Sequence, residues 1–152
     1  MHAAGARQEE GTCLMVHVGI DIAKNDHVAC AVDESGGKLT RPLPFKNNEA
    51  GFEKLLAWLE GIVQDPSEAF VGMEATGHYW MACFSFLTSA GYACCVVNPM
   101  QVRAVRELKS MPRVKNDRVD SWLIAETLKI GSYEQTRLAD DDVQALRMLT
   151  RY

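Results

Sequence analysis

The sequence predicts an α/β fold, a mixed five-stranded sheet with helices packed against it. Three observations carry this reading. Residues 16–24 form an apolar, β-branched run that reads as a strand buried on both faces. Two further strand-like runs follow at hairpin spacing. After them, apolar runs alternate with segments whose hydrophobic residues recur every three or four positions. A hairpin meander followed by helix–strand units gives a sheet of mixed direction.

The bulk properties are compatible with one soluble domain. The chain has 152 residues, 47% of them hydrophobic and 24% charged, which is enough to bury a real core. No apolar run approaches the roughly 20 residues that span a bilayer, so no membrane partner is expected. Residues 1–13 are small and polar without a signal-peptide core and read as a disordered lead-in. Cysteines at 13, 30, 83, 94 and 95 form no C-x-x-C pair and lie in apolar runs. They read as buried free thiols in a reducing cytoplasm, and zinc-type spacing is missing.

Taken in order, Lys24-Asn25-Asp26 is a polar turn and residues 27–33 a second strand. Glu34-Ser35-Gly36-Gly37 turns the chain into a third strand over 38–45, where Pro42 and Pro44 favour an edge position. Asn47 or Asn48 caps a helix on which Phe52, Leu55, Leu56 and Leu59 share one face. Residues 69–75 form a fourth strand. An apolar, largely buried helix follows over about 78–90, ended by Gly91. Residues 92–97 make the fifth strand, and a basic helix runs over about 100–109. A last full helix covers 117–129, and Val143, Leu146 and Leu149 begin another. This order is the layout of the ribonuclease H-like fold.

Four acids stand out. Asp21 lies inside an apolar strand, where a charge is costly unless paired or bound to a cation. Glu74 ends the fourth strand. Asp117 and Asp120 are three residues apart, on one face of a helix and in its first turn, where the helix dipole favours negative charge. Two hard divalent cations about 3.5–4 Å apart can clamp both oxygens of a phosphodiester displacement, and carboxylates are their natural holders. Each acid also has a plainer reading, as a helix N-terminal acid or a strand-end acid bonded to backbone amides. Asp26, Asp33 and Glu34 read as turn residues, and His17 and His27 as packed within the sheet. His78 reads as a core or surface histidine, with a phosphate contact as the alternative.

Net charge is −4, which alone argues against a nucleic-acid partner. The distribution argues otherwise. Arg103, Arg106, Lys109, Arg113, Lys115 and Arg118 are crowded into one stretch against only Glu107 and Asp117. Such a stripe can hold a phosphate backbone on an acidic domain, or be a solvated helix face. Lys24, close after Asp21, can meet a phosphate or form a salt bridge.

Gly19-Ile20-Asp21-Ile22-Ala23-Lys24, then Met73-Glu74-Ala75-Thr76-Gly77, then Val97-Asn98-Pro99, then Lys115-Asn116-Asp117-Arg118-Val119-Asp120 resemble the motifs of the DEDD-type insertion-sequence transposases. That family includes Piv-type DNA invertases and recombinases guided by a structured bridge RNA. The resemblance implies a RuvC-like catalytic domain over 14–138, with Asp21, Glu74, Asp117 and Asp120 as both metal ligands and catalytic acids. It implies magnesium, with manganese as the alternative, and DNA as substrate. A guide RNA and a homo-oligomer are the further partners it suggests. It also implies that 139–152 start a helical connector to a C-terminal domain that contributes a serine to DNA cleavage and rejoining. Asn116 departs from the family's usual Thr and leaves the acids in place. On this reading the fragment alone does not complete recombination.

Three rival readings are weaker. A sugar kinase or related ATPase wants Asp-x-Gly on its first strand, and Ala23 holds the glycine position. A non-catalytic nucleic-acid or dimerisation module would leave the acids structural. A stand-alone Holliday-junction resolvase would not be expected to stop at the beginning of a helix.

Overall fold

The computed structural model describes residues 14–111, 116–131 and 133–136. Its elements are β1 (Val16–Asp21), β2 (Asp26–Val32), β3 (Leu43–Lys46), α1 (Glu49–Glu60), β4 (Ala69–Glu74), α2 (Met81–Ser89), β5 (Ala93–Val97), α3 (Pro99–Leu108) and α4 (Asp117–Ile130). The strands make one five-stranded sheet in the order β3-β2-β1-β4-β5. The β1–β2 and β2–β3 pairs are antiparallel, and the β1–β4 and β4–β5 pairs are parallel. The expected mixed sheet is therefore present, with the proline-bearing strand on its edge.

Alternation along each strand sorts side chains between two layers. Val18, Ile20 and Ile22 of the first strand segment, with Val71, Met73 and Cys94, meet Phe52, Leu55 and Leu59 of α1 and Phe84 and Leu87 of α2 in the larger core. On the other face Cys95 and Val97 pack with Val102 and Val105 of α3 and Leu123, Ile124 and Leu128 of α4. Asp21 and Glu74 have the parity of this second face, the one covered by α4.

Two glycines let α4 lie close. Gly19 and Gly72 are direct neighbours across the β1–β4 ladder. A Cβ on Gly19 would run into the Ser121 carbonyl and the Ala125 amide of α4, and one on Gly72 would come within 2.7 Å of the Leu128 side chain.

Three local expectations change. The third strand starts at Leu43 rather than at 38, and Lys38 makes only an isolated bridge to Val32. Pro42 has no N–H for a ladder, whereas Pro44 is tolerated on the edge. The helix expected from His78 starts at Met81. The preceding turn is built on Gly77, at φ 57°, whose carbonyl accepts a hydrogen bond from Trp80 Nε1 at 3.1 Å. In α2 only Cys83, Phe84 and Leu87 are buried, so the helix is covered on one side rather than all round. Gly91, at φ 94°, follows that helix as expected.

Cys30, Cys83, Cys94 and Cys95 are buried and free, and burial pushes the Cys94 and Cys95 thiols up to about 12. At the β5 edge, Thr136 donates its N–H to the Cys94 carbonyl, and its Oγ1 accepts from Val96 N, both at 3.0 Å. No described helix is long and apolar enough to cross a membrane. The helix expected from Val143, the lead-in over 1–13, Arg113 and Lys115 lie outside the described residues.

Candidate metal centre and acid cleft

Asp21 ends β1, and Glu74 ends the neighbouring parallel strand one pair beyond Ile20 and Met73. The parallel register therefore brings both carboxylates to the same end of the sheet. α4 adds the other two acids. Asn116 caps it, its Oδ1 accepting from Arg118 N at 3.0 Å, which starts the helix so that Asp117 and Asp120 fall in its first turn.

The result is a cluster. Oxygens of Asp21, Asp117 and Asp120 lie within 4.8 Å of one another. Glu74 is outside that tight group. With Asp21 and Asp120 it lines a cleft of about 580 Å³, whose other walls include Thr76, Arg103 and Arg106. All four expected acids are thus gathered at one place, three closely and one on the wall.

Crowded carboxylates resist ionisation. The Asp21 carboxyl is pushed up to about 7, first by burial, then by the charges of Asp120 and Asp117, a hydrogen bond with Asp117 and the charge of Glu74. Burial and the Asp120 charge also raise Glu74. A divalent cation would replace the proton on Asp21 and offset the repulsion. Three oxygen donors at this spacing suit a hard divalent cation.

The basic residues divide. Arg106 turns onto the acids and donates from Nη2 to Asp120 Oδ1. Arg103 lines the cleft. Lys109 faces a different acid: its Nζ is 3.1 Å from Oε2 of Glu126, a buried carboxylate that Lys129 also contacts at 3.1 Å. Lys109 further lies 5.2 Å from the centre of the Trp122 ring. Lys24 is exposed in the β1–β2 turn, its carbonyl accepting from Asn47 Nδ2 at 3.1 Å, and it makes no ion pair among the described residues. His27 is fully buried against Phe45, and His17 is half-buried. His78 stacks on Tyr79 in a second cleft between α1 and α2.

Two residues have roles here that the sequence alone did not assign. Asn98 caps α3 through Met100 N at 2.9 Å with Pro99 in the first turn, and so aims Arg103 and Arg106 at the acids. The Asn-Pro pair was a readable start signal. Glu126 carried no comparable signal, since a glutamate within a helix is ordinarily exposed.

The family model of the IS110-type DEDD transposases, described as a transposase, matches residues 18–152 and so spans all four acids. The chain belongs to this family. Its relatives include the pilin gene-inverting proteins of Moraxella lacunata and Moraxella bovis, each 31% identical over 137 residues, 88% of this chain. The chain spans 40% of the length of these relatives. Among solved structures, T. thermophilus RuvC in complex with a Holliday junction substrate superposes with a TM-score of 0.52 at 17% identity, covering 74% of this chain and 91% of that one. The ribonuclease H-like fold expected from the element order is therefore present, in the RuvC-like form that the resemblance implied.

Proposed function

We propose that this chain is the metal-binding catalytic domain, over 14–138, of a DNA transposase or recombinase, and that its acid cleft carries out phosphodiester transfer. The observation that carries the reading is the convergence of Asp21, Asp117 and Asp120 oxygens within 4.8 Å. Asp21, Asp117 and Asp120 would hold magnesium, or manganese in its place, with Glu74 completing the set from the cleft wall. A bound divalent ion supplies Lewis-acid activation of the attacking oxygen and neutralises charge at phosphorus. Arg103 contributes a positive wall for the phosphate backbone, and the buried sheet beneath the acids excludes water from one side.

Inversion of a gene, the activity named for the Moraxella proteins, requires DNA strands to be cut and rejoined. The resemblance places a serine for that reaction in a second domain, reached through a connector starting at 139. The cleft described here is therefore proposed to supply one part of strand exchange. DNA is the proposed substrate, and a second copy of the chain the proposed partner in synapsis.

Calorimetric titration of manganese into the chain, wild type against Asp21→Asn and Asp117→Asn, tests the site. Binding heat should be present in the wild type and lost in both variants. Equal heats in all three would remove the acids from metal binding.

A further inference from the structure

The cleft already contains a cation of its own. Arg106 of α3 holds Asp120 through Nη2 and Oδ1, with side chains only 16% and 19% exposed. Asp120 is one of the three acids whose oxygens form the tight cluster. Arg103, three residues earlier on the same helix, lines the cleft but makes no ion pair among the described residues. The two arginines therefore differ in kind: one is locked onto a cluster acid and one faces open space.

A guanidinium and a divalent ion compete for the same carboxylate. They repel each other strongly at short range, the more so where water is partly excluded. A carboxylate oxygen committed to a guanidinium is a poorer ligand for a second cation. Once off Asp120, the planar fork of an arginine has another natural partner, because it matches the oxygens of a phosphodiester in bidentate fashion.

We infer that Arg106 is a tethered cation that occupies Asp120 in the metal-free protein, that metal loading displaces it, and that it then binds a phosphate of the nucleic acid in the cleft. This rests on the reading of Asp21, Asp117 and Asp120 as a metal site. It has a thermodynamic consequence. A phosphate that draws Arg106 away from Asp120 makes metal binding easier, and by linkage the metal improves phosphate binding by the same factor. The acid site is then loaded in preference when substrate is present. An arginine that merely pinned α3 to α4 would have the opposite effect on the metal, since its loss would leave Asp120 less well placed.

The sign of one affinity change separates these cases. Manganese is titrated by calorimetry into the wild-type chain, Arg106→Gln and Arg103→Gln, without nucleic acid. Arg106→Gln should bind manganese about tenfold more tightly, the size of an ordinary coupling between sites, and Arg103→Gln should change much less. Unchanged or weaker binding in Arg106→Gln, or an equal gain in Arg103→Gln, overturns the inference while leaving the metal site intact. No binding to any of the three proteins overturns the metal site and the inference together. If Arg106→Gln fails to fold, the wild-type chain carries the test. The Arg106 Nε–H resonance should shift as magnesium saturates the site, and its persistence unchanged at saturation overturns the inference.

Discussion

Gly19 stands directly beside Gly72 in the parallel ladder of β1 and β4, and each is two residues before an acid, Asp21 or Glu74. Because strand side chains alternate, each glycine lies on the same face as the acid that follows it. The missing side chains let α4 settle onto the sheet, and that descent carries Asp117 and Asp120 down to Asp21. The glycine pair is a spacer of zero height between sheet and helix.

Gly19→Ala should therefore destabilise the chain by about 1–3 kcal/mol, the ordinary cost of overpacking, or more, because the new methyl meets helix backbone that cannot rotate away. Manganese affinity should fall with it. Gly61 gives the contrast. It lies past the end of α1 at φ −75°, and a Cβ there meets nothing closer than 3.4 Å. Gly61→Ala should be neutral or stabilise by about 0.4–1 kcal/mol through the unfolded chain. Denaturant melts of the two variants check both signs.

The proton on Asp21 gives a pH dependence. Its carboxyl lies near 7 in the folded chain against an ordinary 3.8. Between those values the folded state holds a proton that the unfolded state has released. The stability linked to this group is thus full below about 4 and is lost as pH rises through about 7. In chelator-treated thermal melts, the wild type should lose stability relative to Asp21→Asn as pH goes from 4.5 to 8. Metal must displace the same proton, so affinity should drop about tenfold per pH unit below about 7 and level off above it. A flat profile would show that Asp21 does not hold a proton in this range.

Asn116 is a second lever on the site. Asn116→Ala removes the cap of α4 and should cost about 1 kcal/mol. Asp117 sits in the turn that would fray, so manganese binding should weaken too. Asn116→Thr keeps an oxygen acceptor and should restore most of both. Loss of stability without any loss of metal affinity would mean that Asp117 does not depend on the cap.

Lys109 and Arg103 should part company in nucleic-acid binding. Lys109→Met leaves buried Glu126 with Lys129 alone and should cost about 1–3 kcal/mol of stability. Its effect on the salt dependence of DNA binding should be small. Arg103→Ala should leave stability nearly unchanged and reduce the slope of log affinity against log salt by about 1. The reverse pattern would put Lys109 on the phosphate backbone.

Much of this was legible from the chain alone. The strand bearing Asp21 announced itself by its β-branched neighbours, and the three-residue spacing of Asp117 and Asp120 required one helix face. What stayed hidden depends on which helix packs on which. The stretch from Arg103 to Lys109 reads as one basic stripe, yet Arg106 meets Asp120 and Lys109 meets Glu126, because α3 lies against α4. Charge pattern along one helix cannot show partners supplied by another. The role of Gly19 and Gly72 was hidden for the same reason. A glycine in a strand reads as weakness until the element above it is known.

The two rims of the sheet are closed by different means. On one side β3 is four residues long, carries Pro44 and ends in Lys46, which is ion-paired across to Asp26 at 2.5 Å. On the other, Thr136 already occupies the Cys94 carbonyl and the Val96 amide. A strand arriving from another molecule would meet a missing donor and a charge at one rim, and would have to evict Thr136 at the other. The folded domain thus offers a poor template for runaway strand addition, the usual hazard of an open sheet, and its free faces are left to the helices.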